Sequence, residues 1–431
     1  MEEKIKKCVN KAHHLVFGYD AGTRTVAFTK NVSLSFSGGI IAFAILFVAS
    51  VVAARILGPE EYGKYAVVFS IAQMLSLFFV LELDVSALYF LSKKDTKNKN
   101  IISSINVMFL INIAVFTFLG ISLFQLFAPS DMSGIAFVGA VVMALFFALK
   151  RMVDAYLRVE NRFKMQAIFK IAEAITVVSV IVMLFYVAGR TEYFSYIISI
   201  ILGGTVFVVL GGVLVRNKLI VRDATMQSMN NVFGYNIFGI IGAIVNSIVK
   251  NIDKLIMVAF LGASMGGIYT VYFTASVIVG ARLTQLFINV FFPTVRAHHK
   301  NKRQIFTKIN TLFLKTFIPL IIIASCGVFL IILLYGSQYP IVWWWIVLGG
   351  IYIAVHFFAS LYGWLLSSVS RKGYKKYNLS FVYSFLAYAS ILAVAFAYDL
   401  FGVTVLLVAL SVYRIIGGLV SFFELKKKVL R

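Results

Sequence analysis

The sequence predicts an all-α polytopic membrane protein of about twelve transmembrane helices in two repeated six-helix lobes, from its composition, the length of its apolar runs and an internal repeat. Of 431 residues, 61% are hydrophobic and 13% charged, and the mean hydropathy is +0.93. No soluble domain can bury so much apolar surface. A helix crosses a hydrocarbon core of about 30 Å with roughly 20 apolar residues. Runs of that length, bounded by charges, fall at 34–57, 64–92, 101–128, 132–157, 165–188 and 192–215, then at 232–261, 267–293, 310–335, 341–369, 377–398 and 402–423. The pattern L-G-x4-G-x-Y occurs at Leu57-Gly58-Pro59-Glu60-Glu61-Tyr62-Gly63-Lys64-Tyr65 and again, 204 residues later, at Leu261-Gly262-Ala263-Ser264-Met265-Gly266-Gly267-Ile268-Tyr269. The second copy lies six spans after the first, an even number, so the halves share one topology and form a parallel repeat.

Taken in order, residues 1–33 read as a basic cytoplasmic segment. They lack the short apolar core and small-residue cleavage site of a signal peptide. Ile5, Cys8, Val9, Ala12, Leu15 and Val16 recur among lysines at helical spacing, which suits a helix on the membrane surface; a disordered basic tail is the other reading. Residues 34–216 form the first six-helix lobe, 217–231 a cytoplasmic linker, 232–423 the second lobe and 424–431 a basic tail. Orientation follows from charge: most of the 40 Lys and Arg fall before Lys30, at 93–99, 158–164, 216–222, 296–308 and 371–376, and after 425, whereas the opposite turns carry Arg55, Lys64 and Arg190. The positive-inside rule puts the first group, with both termini, on the cytoplasmic side of a cell (inner or plasma) membrane.

Other classes are disfavoured. The net charge of +23 is explained by basic loops beside anionic lipid headgroups, with no need for nucleic acid. The outer connections are a few residues long, too short to build an active site, so transport is expected rather than catalysis. Cys8 and Cys326 sit in different environments and make no disulfide framework, no Cys/His spacing suggests a metal, and no cofactor motif occurs.

Arg55-Ile56-Leu57-Gly58-Pro59-Glu60-Glu61-Tyr62-Gly63-Lys64-Tyr65 resembles the R-x-L-G-P-E-E-Y-G-x-Y signature of polysaccharide biosynthesis proteins, the lipid-linked oligosaccharide (O-antigen type) flippases. Asn251-Ile252-Asp253-Lys254-Leu255 with the second glycine motif, and Tyr156 to Lys164, are similar to further segments of that family. The resemblance implies the multidrug/oligosaccharidyl-lipid/polysaccharide exporter fold, two lobes around a central cavity, and a flippase of polyprenyl-(pyro)phosphate-linked oligosaccharide serving surface polysaccharide (O-antigen or exopolysaccharide) biosynthesis. Its expected partners are that anionic lipid-linked oligosaccharide, membrane lipids and polysaccharide assembly proteins. A multidrug antiporter of the same superfamily is the alternative.

Charges inside spans mark the mechanism, because each is costly unless it faces water, protein or a partner. The basic ones are Lys150, Arg151, Lys170, Lys250, Lys254, Arg282, Lys315 and Arg414; the acidic ones are Glu82, Asp84, Asp154, Glu173 and Asp253. The positive excess suits an anionic cargo. Lys250 and Arg282, on helices joined by a short turn, are the first candidates for phosphate contact, and Asn246, Lys250 and Asp253 share a face at i, i+4, i+7. The competing reading makes Lys250 and Asp253 a structural pair. Lys150 and Arg151 either funnel a headgroup or snorkel, and Arg55 either meets the departing diphosphate or anchors its helix. Asp253, Asp84, Glu82 and His356 are the candidates for ion coupling; Glu82 and Asp84, two residues apart, point to different faces of a regular helix, so at most one should line a cavity.

Overall fold

The computed structural model describes residues 23–91, 99–127, 134–285, 287–288, 302–369 and 371–429. The expected surface helix at residues 5–16, and the basic residues at 93–97 together with Arg296, Lys300 and Arg431, lie outside them. The helices are α1 (Thr23–Val80), α2 (Leu83–Leu91), α3 (Lys99–Phe127), α4 (Gly134–Val159), α5 (Phe163–Val182), α6 (Tyr193–Val215), α7 (Met226–Phe273), α8 (Lys302–Tyr335), α9 (Trp343–Val369), α10 (Arg371–Ala397) and α11 (Val403–Val429). A π-turn, Met183–Val187, ends α5, and another, Thr274–Ile278, carries α7 onward to Gln285.

Among the described residues, ten helices are long and apolar enough to cross a membrane. Two of these stretches, Gly38–Val80 and Gly239–Gln285, have 43 and 47 residues, about twice one crossing of roughly 20. Each doubles back at a glycine: Gly58 (φ 72, ψ 173) in α1 and Gly262 (φ 84, ψ 165) in α7. Side chains with a Cβ avoid this backbone region. The reversal shows in the contacts, since Gly38 packs on Ala167 while Glu82 meets Arg151, residues at the same end of the α4–α5 hairpin. Counting the arms of α1 and α7 separately gives twelve passes, six per lobe: passes 1 and 2 are the arms of α1, passes 3–6 are α3–α6, passes 7 and 8 are the arms of α7, and passes 9–12 are α8–α11. Residues 23–33, the end of the expected basic N-terminal segment, are helical and continuous with the first arm of α1.

The second expected span, 64–92, is not continuous. It breaks at Leu81 (φ 41) and Glu82 (φ 60) before resuming as α2, and Asn236 Nδ2 of the other lobe donates to the Glu82 carbonyl at 3.1 Å. The linker is held down: Asn106 Nδ2 donates to the carbonyls of Lys218 and Ile220 at 2.7 and 2.8 Å, and the Thr225 side chain caps α7 through Ser228 N–H.

The lobes are sealed together at the hairpin end, opposite the basic loops. A Cβ on Gly63 would stand 1.8 Å from the Ala263 carbonyl oxygen, and one on Gly267 would stand 1.8 Å from that of Pro59. Each copy of the repeated motif thus rests on backbone of the other. Tyr335 OH lies 3.0 Å from Ser50 Oγ, Tyr339 OH donates to the Ala54 carbonyl at 3.0 Å, and Arg55 Nε donates to the Leu334 carbonyl at 2.7 Å. The apolar core of the first lobe continues through this seam to Tyr272, Val328, Ile332 and Tyr335 of the second. Pass 9 by contrast turns Leu314, Ile318 and Ile323 outward, uncovered by protein, as a lipid-facing surface does.

Candidate functional site

Charged side chains inside the passes are arranged differently in the two lobes. In the first each of them is paired. Lys150 on α4 is paired with Glu173 on α5, and its ammonium also sits 5.4 Å from the Phe207 ring centre. Asp154 receives Arg158 at 2.6 Å, Lys170 at 3.1 Å and Gln166 Nε2 at 2.6 Å. Arg151 takes Asp84 in a two-pronged contact, Nε and a terminal nitrogen each at 3.0 Å, with Glu82 Oε1 at 3.4 Å. Both carboxylates therefore converge on one guanidinium. The expectation that they face opposite ways assumed a regular helix, and the break at Leu81–Glu82 removes that assumption.

The second lobe does not balance. Asp253, wholly buried, is held by Lys254, whose Nζ stands at 3.3 Å and whose backbone N–H donates at 2.8 Å, and by the Tyr269 hydroxyl from pass 8. Lys254 also donates to the Lys250 carbonyl and lies 3.5 Å from the Phe273 ring centre. This corrects the structural-pair reading: the partner of Asp253 is Lys254, and the Lys250 ammonium has no hydrogen bond or ion pair among the described residues. Lys250 is half-buried and within electrostatic range of Lys254, Arg282 and Arg414, all cations.

Arg282 is exposed and stacks 5.5 Å from the centre of the Phe43 ring on pass 1, so it spans the gap between lobes. The π-turn Thr274–Ile278 lies one turn before it and shifts the phase of pass 8. Arg414, 9% exposed, is a residue that the sequence flagged by its charge but did not place in the site. Its Nε donates to Tyr352 OH at 3.4 Å and a terminal nitrogen to Asn246 Oδ1 at 3.2 Å. Asn246 thus contacts Arg414, and Lys250, one turn on, lies within electrostatic range of it. His356 is buried and stacked on Tyr352 (5.7 Å, 5°), with Nδ1 unpartnered among the described residues. Arg55 sits in the hairpin seam, which favours its anchoring role.

Lys250, Arg282 and Arg414 accordingly form a group of cations in the second lobe with no carboxylate paired to them among the described residues. On one flank of the basic end passes 2 and 7 touch through Tyr89 and Tyr235, stacked at 4.1 Å. A cluster of unpaired cations attracts anions and repels cations.

The family described as polysaccharide biosynthesis protein matches residues 28–298. Solved structures with a similar fold include an inward-facing multidrug resistance MATE family transporter of the MOP superfamily (TM-score 0.64, 12% identity, 91% of this chain and 98% of that one). A MATE transporter in complex with MaL6 gives 0.63 at 12% identity, covering 95% and 97%. A MOP superfamily transporter from Pyrococcus furiosus, described as having a binding pocket of reverse polarity, gives 0.60 at 13% identity, covering 94% and 96%. No curated protein matches the chain in sequence.

Proposed function

The chain belongs to the polysaccharide biosynthesis protein family, a family of membrane transport proteins, and from that membership we propose that it is a flippase for a polyprenyl-(pyro)phosphate-linked oligosaccharide. One observation supports the reading: the positive excess within the passes belongs to the second lobe and is not neutralised by ion pairs among the described residues. A pyrophosphate bearing sugars loses its hydrogen bonds to water on entering hydrocarbon, at roughly several kcal/mol per group. A polar cleft open to the basic, cytoplasmic end removes that barrier while the lipid tail stays in the bilayer. Lys250 and Arg282 take the phosphates. Lys150 and Arg151 reach the headgroup only by releasing Glu173 or Asp84, and Asp253, Asp84, Glu82 and His356 remain the groups through which an ion could be coupled. Rocking of the lobes then opens the hairpin seam and closes the basic end, and the headgroup leaves on the far side for surface polysaccharide assembly.

Charge-assisted contacts are worth about 1.5–3 kcal/mol each, so Lys250→Ala and Arg282→Ala should each slow headgroup translocation about tenfold or more in proteoliposomes while leaving membrane insertion intact. Normal rates in both variants would remove these residues from the site. Drug-cation efflux by vesicles carrying the protein, with no movement of the lipid, would instead support the antiporter reading.

A further inference from the structure

We propose that the second lobe holds a small inorganic anion of the halide class against Arg414, apart from any transported headgroup. Arg414 is nine-tenths buried between passes 7, 10 and 12, yet its hydrogen-bond partners are neutral: Asn246, and Tyr352 at the long distance of 3.4 Å. Its charged neighbour is Lys250, also a cation. The nearest carboxylate on pass 7, Asp253, is already taken by Lys254 and Tyr269. A buried charge without a counter-charge is among the costliest features a protein interior can contain, and a captured anion is the direct remedy.

Space and donors for such an ion are present. A small pocket opens beside the guanidinium, lined by Ser360, Tyr377, Ser380, Tyr413, Arg414 and Gly417. Tyr413, one of its lining residues, has a buried hydroxyl with no hydrogen-bond partner among the described residues, and its ring centre lies 5.2 Å from the guanidinium carbon. His356, on the other side of Tyr352, is a second buried group with an unpartnered nitrogen in electrostatic range of both Arg414 and Lys250. A hydroxyl donor and a guanidinium beside a small pocket suit a monatomic anion. A phosphate esterified to a lipid and a sugar would have to part passes 10, 11 and 12 to reach it.

The test uses the full-length protein in detergent with no lipid substrate, so its outcome is separate from that of the translocation assay. Replacing gluconate by chloride at constant ionic strength should raise the thermal unfolding midpoint saturably, and bromide should do the same. Arg414→Gln should abolish the dependence. Tyr413→Phe keeps the ring and removes the donor, so it should raise the half-saturating chloride concentration about fivefold. It also serves as the decisive variant should Arg414→Gln fail to fold. A wild-type midpoint identical in chloride and gluconate overturns the proposal. So does stabilisation by inorganic phosphate but not by chloride, which would hand the pocket to the headgroup, and so does an unchanged halide response in Tyr413→Phe.

Discussion

Asp253 and Lys254 form a buried ion pair whose members are adjacent in sequence, with Tyr269 supplying a further hydrogen bond and Phe273 a ring face. Removing one partner from such a pair strands the other charge, a loss of about 3–5 kcal/mol, whereas replacing both is often close to neutral. Lys254→Met should therefore lower the thermal midpoint sharply and Asp253→Asn/Lys254→Met should restore most of it; equal midpoints for wild type and Lys254→Met would show the pair to be dispensable. Sequence spacing brought out Lys250 and Asp253 as a shared polar face, and Asn246 does meet Arg414 there. It missed that a tyrosine from the next pass claims Asp253, because helical periodicity carries no information about which neighbour packs against a face.

The helices themselves were the most legible feature. Apolar run length is imposed by the bilayer, so the twelve spans follow from composition alone, and both hairpins were signalled by the glycine motif. The interruption at Leu81–Glu82 was hidden, since neither residue is a glycine or proline and apolar stretches of helical length flank it on both sides. Positive φ at such residues is held by the surrounding structure, here by Asn236 and by Arg151 gathering both carboxylates. The seam between the hairpins yields a prediction at this scale. Backbone carbonyls cannot swing aside as a flexible side chain can, so Gly267→Val or Gly63→Val must push the two turns apart. A cysteine replacing Tyr339, in a background lacking Cys8 and Cys326, should then react faster with a membrane-impermeant thiol reagent added from the hairpin side. Unchanged labelling would show that the seam is not held by this contact.

Across the whole molecule, the repeat makes the asymmetry of charge measurable. The 204-residue offset sets Lys250 against Leu46, Lys254 against Ser50 and Arg282 against Phe78, so the second copy carries cations where the first is apolar or neutral. The in-span charges and their uneven division between the lobes were legible in the sequence; which acid meets which base was not. For the proposed cargo this has an energetic consequence. With the cytoplasm negative, each charge moved outward gains about 2.3 kcal/mol per 100 mV, hence about 4.6 kcal/mol for a headgroup of charge −2. Outward translocation in proteoliposomes without any ion gradient should accelerate when an inside-negative potential is imposed, and a rate indifferent to voltage would point to coupling through an ion instead.

The reciprocal rest of Gly63 on Ala263 and of Gly267 on Pro59 also bears on how this chain can change over time. Around that seam the two halves meet as two subunits of a symmetric dimer do, like surface to like surface, as expected if a gene duplication fused two interlocking copies of a six-helix ancestor. Mutations in one motif are then screened by the shape of the other, and descendants of this chain should alter both loops in concert or neither.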